Sequence, residues 1–132
     1  MIAVIIVSHS EKVAEGVKDI AEQMNNSKIM IRAAGGTENG RIGTNTLKIY
    51  ETFEEVKNAD NILVFVDLGS SIMATEMAMD MLDDEIREKI TIVDAPIVEG
   101  ALGAVIQATV TDNVKNIIET AIESKSLSKL QE

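Results

Sequence analysis

Ile2-Ala-Val-Ile-Ile-Val7 is an unbroken aliphatic run, mostly β-branched, with no polar residue on either face of an extended chain. A half-exposed strand alternates apolar and polar residues. A strand apolar on both faces must be covered on both, which is the situation of a parallel sheet between two layers of helix. Three more short apolar runs follow, Ile29 to Ala34, Ile62 to Val66 and Ile90 to Val93. The segments between them carry helical spacing. Val13, Val17, Ile20, Ala21 and Met24 share one face against Glu11, Lys12, Glu15, Lys18 and Asp19. Leu47, Ile49, Tyr50, Phe53 and Val56 form a second such face, and further helical patterns cover about 71–82, 98–108 and 113–124. The order is β-α-β-α-β-α-β-α-α. It predicts an α/β fold, a mostly parallel sheet of four strands with room for a fifth, and helices on both faces. A chain of 132 residues without a linker or repeat reads as one domain, 1–124, followed by a polar, frayed tail, 125–132.

In such sheets ligands sit beyond the carboxyl ends of the strands. The four ends here carry Ser8-His9-Ser10, the loop from Gly35 to Thr44, Asp67-Leu68-Gly69-Ser70-Ser71, and Asp94. The connections at the other edge, around 25–28, 58–61 and 83–89, read as ordinary polar turns. His9 is the only histidine, placed between a buried strand and a helix start. The amides of a helix N-terminus favour an anion, and imidazole is a neutral nucleophile near neutral pH. That combination suits a phosphoryl group carried on His9. Asp67 is placed to orient the ring, as the acid of a triad does, provided that Ser70 or Ser71 caps the next helix. Asp94 is a weaker candidate for the same role. The glycine loop fits neither G-x-G-x-x-G nor the Walker pattern, so it offers no nucleotide cradle. It reads as a wall of the His9 pocket, with Thr44 as a hydroxyl donor. Met73, Met77 and Met81 recur every four residues on a helix that is apolar on most sides. Core packing or a subunit interface would each account for them, and a homodimer is expected on that basis.

Composition removes several classes of function. With 12 basic and 22 acidic residues the net charge is −10, which repels a nucleic-acid backbone. Aromatic residues are 2% of the chain (Tyr50, Phe53 and Phe65), too few for base-stacking or sugar platforms. No cysteine and one histidine leave no thiolate nucleophile and no nitrogen or sulfur metal cage, so no metal is expected. The apolar start is seven residues long without a basic flank, so neither a signal peptide nor a membrane span is expected, and the location expected is the cytoplasm.

Val7-Ser8-His9-Ser10 with Ala14-Glu15-Gly16-Val17 resembles the opening of mannose-type enzyme IIA domains. Gly35-Gly36, Gly43-Thr44, Asp67-Leu68-Gly69-Ser70 and Val98-Glu99-Gly100-Ala101 continue the resemblance in order, from Met1 to about Glu123. Within that family the chain is most similar to the phosphotransferase subunits of phosphoenolpyruvate-dependent dihydroxyacetone kinases. Sugar-transporting members carry a Gly-Gly-Ser-Pro type segment where this chain has Asp67-Leu68-Gly69-Ser70-Ser71. Two positions depart from the kinase-type pattern: Ser71 stands where Ala is usual, and Ala74-Thr75-Glu76 where Asn often precedes the acid.

The resemblance implies that His9 takes a phosphoryl group from the phosphohistidine of the carrier protein HPr, here a separate protein. It passes the group to ADP, held as a cofactor on a separate nucleotide-binding kinase subunit, and this chain itself binds no cofactor. Asp67 matches the aspartate near the active histidine. Ser8, Ser10, Gly35, Gly36, Thr37, Gly43, Thr44, Gly69, Ser70 and Ser71 line the pocket. Family members are dimers. Two alternatives differ in chemistry: an enzyme IIA that phosphorylates the IIB protein of a mannose-family permease, and a non-catalytic regulatory module of flavodoxin-like shape.

Overall fold

The computed structural model describes residues 1–130. Its four strands are β1 (Ile2–Ser8), β2 (Met30–Gly35), β3 (Asn61–Val66) and β4 (Ile90–Ile92). They form one sheet in the order β2-β1-β3-β4, every pair parallel. β1 is central. Val7 pairs with Ala34 on one side and Val66 on the other, so the ends of β1, β2 and β3 finish level. The fifth strand that the sequence leaves room for is absent among the described residues.

Alternate residues of β1 feed two cores, as an extended chain demands. Val4 and Ile6, with Leu63 and Phe65 of β3, pack under α1 (Glu11–Gln23), α5 (Ile97–Ala108) and α6 (Val114–Glu123). Ala3, Ile5 and Val7, with Ile62 and Val64, pack under α2 (Thr46–Glu55) and α3 (Gly69–Met79). Ala3 through Val7 are fully buried, which explains why the run tolerates no polar residue. The short connector read as a polar turn after α3 contains one turn of helix, α4 (Asp84–Arg87). No helix among the described residues is long and apolar enough to cross a membrane.

The methionine helix differs from a core reading. The face of α3 turned to the sheet and α2 consists of small residues, Ser71, Ala74, Thr75 and Ala78, all buried. Small side chains let the helix approach the strands closely. Met73 and Met77 point outward, 65% and 58% exposed, as does Met81 just past the helix end at 51%, while Met79 packs half-buried against the core. The chain after α6 makes a single 3-10 turn, Ser124–Ser126, and is tied back by ion pairs from Lys125 to Asp94 (2.7 Å) and from Lys129 to Glu99 (3.1 Å). Of the segment expected to be a frayed tail, 131–132 lie outside the described residues.

Candidate functional site

The strand order creates the site. From β1 the chain crosses to β2 on one flank, and later strands are laid down on the other flank, so connections diverge between β1 and β3. That divergence opens a crevice at the carboxyl ends of the two strands. His9 follows the last residue of β1 and Asp67 follows the last residue of β3. The two residues flank the crevice, 58 positions apart in sequence.

Asp67 is the hub. Its Oδ2 accepts the Ser8 hydroxyl (2.8 Å) and the backbone N–H of His9 (3.0 Å). Its Oδ1 accepts the Leu68 N–H (2.8 Å) and the Ser71 hydroxyl (2.7 Å), and lies 3.0 Å from His9 Nδ1. Burial would raise the carboxyl group's pKa. The donors outweigh it, Ser71 first and then the His9 N–H, Ser8 and the ring, and hold the group far below the usual carboxylate range. Asp67 is therefore an anion at every physiological pH. A carboxylate lone pair faces Nδ1, an arrangement that favours the tautomer with its proton on Nδ1 and a lone pair on Nε2. Nε2 meets the Ser70 hydroxyl at the exposed rim.

The flanking residues fix the backbone of His9. The Ser10 side chain caps α1 by accepting the Val13 N–H (3.2 Å), while the Ser10 N–H donates to Ser8 Oγ (3.0 Å). Ser8 is almost fully buried and joins these bonds to Asp67. The glycine loop closes one side. The Gly36 N–H donates to the Ser8 carbonyl (3.1 Å) and the Gly43 N–H to the His9 carbonyl (2.8 Å). Gly36 and Gly43 have φ of 73° and 141°, backbone shapes that favour glycine. At Gly35 the approach is closer still. A Cβ there would lie 2.5 Å from the Ser10 carbonyl oxygen and 2.7 Å from Ala14 Cβ. Lys48 reaches over this junction to the Gly35 carbonyl (2.7 Å).

The structure brings together His9, Asp67, Ser8, Ser10, Ser70 and Ser71, with Gly35, Gly36 and Gly43 around them. Thr37 works within the loop, accepting the Arg41 N–H at its hydroxyl (3.1 Å). Thr44 is half-buried, and its hydroxyl makes no hydrogen bond to His9 among the described residues. Asp94 is not part of the cluster, because its exposed side chain pairs with Lys125. The capping role expected of Ser70 or Ser71 is also not taken. Leu68 occupies the N-cap position of α3, no side chain caps it, and both hydroxyls turn to His9 instead. The uncapped first turn of α3 thus lies beside Nε2 through Ser70. The sequence places an anion only at the start of α1, and the missing cap on α3 is not visible without the strand order.

The chain is similar to known proteins over nearly its whole length. The model of the EIIA-man family, described as PTS system fructose IIA component, matches residues 3–118. A Listeria innocua protein, PEP-dependent dihydroxyacetone kinase 2, phosphoryl donor subunit DhaM, is 40% identical over 119 residues, covering 90% of this chain and 95% of the relative. The corresponding DhaM of Klebsiella michiganensis is 37% identical over 134 residues. This chain covers 28% of that longer protein, and 99% of this chain is aligned. The crystal structure of EF1359, a protein of unknown function, superposes with a TM-score of 0.87 at 36% identity over 99% of this chain and 98% of that one. A phosphotransferase system component EIIA from Streptococcus agalactiae shares the fold, with a TM-score of 0.70 at 19% identity over 98% of this chain and 97% of that one.

Proposed function

The chain belongs to the EIIA-man family, and we propose that it is the phosphoryl-transfer subunit of a dihydroxyacetone kinase, carrying the group on Nε2 of His9. One observation supports this above the others: Asp67 holds Nδ1 of a rim-facing imidazole and leaves Nε2 as the nucleophile.

In the first step Nε2 attacks the phosphorus of a phosphohistidine on HPr. The Nε2–P bond forms as the donor's N–P bond breaks, and the donor imidazole departs with its electron pair. Nδ1–H keeps its proton throughout, and Asp67 balances the positive charge that the ring acquires as Nε2 gives up its lone pair. Ser70 gives up its bond to Nε2 and turns its hydroxyl to a phosphoryl oxygen. The uncapped amides of α3 face the same charge. In the second step a β-phosphate oxygen of ADP, bound on the nucleotide-binding subunit, takes the phosphoryl group, and Nε2 recovers its lone pair. Positioning across two transient interfaces supplies most of the catalysis. This chain binds neither ADP nor the sugar in this reading, works in the cytoplasm, and forms a homodimer.

The test is intact mass after incubation with phosphoenolpyruvate, enzyme I and HPr. One acid-labile phosphoryl group is expected on the protein and none on His9→Ala. Loss of the label to the ADP-loaded kinase subunit supports the kinase. Loss only to a permease IIB protein supports the alternative, which the sugar-component description of the family favours. No label with active HPr would leave a non-catalytic binding module.

A further inference from the structure

Ser71 is the one hydroxyl in the cluster that touches both members of the His9–Asp67 pair. Its side chain is fully buried beneath the ring, at 0% exposure. Its Oγ lies 2.7 Å from Asp67 Oδ1 and 3.1 Å from His9 Nδ1. Those two atoms are themselves 3.0 Å apart, so the three form a closed triangle.

A hydroxyl has a single proton. The proton of Ser71 goes to Asp67, because the bond to an ionised carboxylate is the shorter and stronger of the two. What Ser71 then presents to Nδ1 is an oxygen lone pair. Nδ1 faces two acceptors and no donor, and an unprotonated Nδ1 would set lone pairs against lone pairs on both. The Thr75 hydroxyl donates to the Ser71 carbonyl (2.7 Å), which anchors the turn of α3 that carries the hydroxyl. Ser71 stands four residues after Asp67, so one turn supplies both acceptors.

We propose that Ser71 is a positioning residue for phosphoryl transfer, a second acceptor that locks the Nδ1–H tautomer and the ring plane of His9 alongside Asp67. The mechanistic value of the lock rests on the reading of His9 as the phosphoryl carrier. The lock itself does not, and the test separates them.

The deciding measurement is ¹⁵N NMR of the imidazole in the unphosphorylated protein, wild type against Ser71→Ala, at a pH where the ring is neutral. Wild type is expected to show a protonated Nδ1 and an unprotonated Nε2, with a slowly exchanging Ser71 hydroxyl proton. Ser71→Ala is expected to shift the ring nitrogens toward a mixture of tautomers and to slow phosphoryl uptake from HPr about 3- to 10-fold, the scale of one lost hydrogen bond. Unchanged ring nitrogens in Ser71→Ala overturn the proposal whatever the rate does. A wild-type ring protonated at Nε2 overturns it without any variant, which covers the case of a variant that does not fold. Failure of the carrier reading looks different: the tautomer shift is present, but wild type takes up no phosphoryl group.

Discussion

Asp67 holds His9 at two points with two different oxygens: Oδ2 accepts the backbone N–H at 3.0 Å while Oδ1 lies 3.0 Å from Nδ1 of the ring. One carboxylate thereby fixes both where β1 ends and which way the imidazole faces. Replacing it with an amide keeps the shape but not the chemistry. In Asp67→Asn one position offers an N–H₂ donor, and the charge that balances the phosphorylated ring is gone. Phosphoryl uptake should fall on the order of 100-fold or more, with HPr binding little changed. Rapid-quench phosphorylation at saturating HPr measures the first quantity and calorimetry the second. A rate within about threefold of wild type would remove Asp67 from the mechanism.

The same carboxylate links stability to acidity. Its folded pKa is depressed below the unfolded value of about 3.9. The folded state therefore holds this proton less tightly than the unfolded chain does. The contribution is fully present above about pH 5 and is lost as pH falls through the unfolded value toward the folded one. Asp67→Asn should be less stable than wild type at pH 7, and the gap should narrow steadily between about pH 5 and pH 2. Urea midpoints across that range test it. A constant gap would show that the destabilisation in Asp67→Asn is steric rather than electrostatic.

Much of this site is legible in the sequence, and the part that is not has a common cause. A continuous apolar run such as Ile2–Val7 declares a buried strand, and a lone histidine at its end declares itself. Asp67 is readable by the same rule, as the polar residue closing β3. Which strand ends become neighbours depends on strand order, and no local spacing encodes it. Asp94 therefore competes with Asp67 in the sequence, although β4 lies one strand further from β1 and Asp94 pairs with Lys125 instead. The duties of Ser70 and Ser71 are hidden for a similar reason. A hydroxyl near a helix start reads as a cap until a buried carboxylate and an imidazole are known to lie closer. The methionines mislead because a helix apolar on most sides has no face that period alone assigns to the core. The small residues opposite, Ser71, Ala74, Thr75 and Ala78, are the better signal.

The outward methionines separate stability from association. Met77→Glu puts a charge where the side chain is already more than half exposed, so the fold should change by no more than about 0.5 kcal/mol. If the homodimer uses this face, together with exposed Leu68 and Ile72, the same charge should raise the dimer dissociation constant by about tenfold or more. Sedimentation equilibrium and thermal melts on one sample read both. A tight dimer in Met73→Glu/Met77→Glu would move the interface elsewhere, and a monomeric wild type would remove it.

The glycines give the sharpest contrast in expected outcome. At Gly35 an added Cβ meets the Ser10 carbonyl oxygen at 2.5 Å and Ala14 Cβ at 2.7 Å, both parts of the rigid start of α1. Neither is the free end of a long side chain, so the end of β2 has to move away from α1. That overpacking should cost about 1–3 kcal/mol. It should also disturb the bond from the Gly36 N–H to the Ser8 carbonyl, one of the supports of His9. At Gly69 nothing lies within 4 Å and the position opens α3, where alanine is the better helix former. Gly69→Ala should leave stability unchanged or raise it by up to about 1 kcal/mol. Denaturant unfolding of Gly35→Ala and Gly69→Ala tests the pair. Equal stability would mean that the contact between β2 and α1 is looser than the geometry at Gly35 requires, and the loop wall of the site with it.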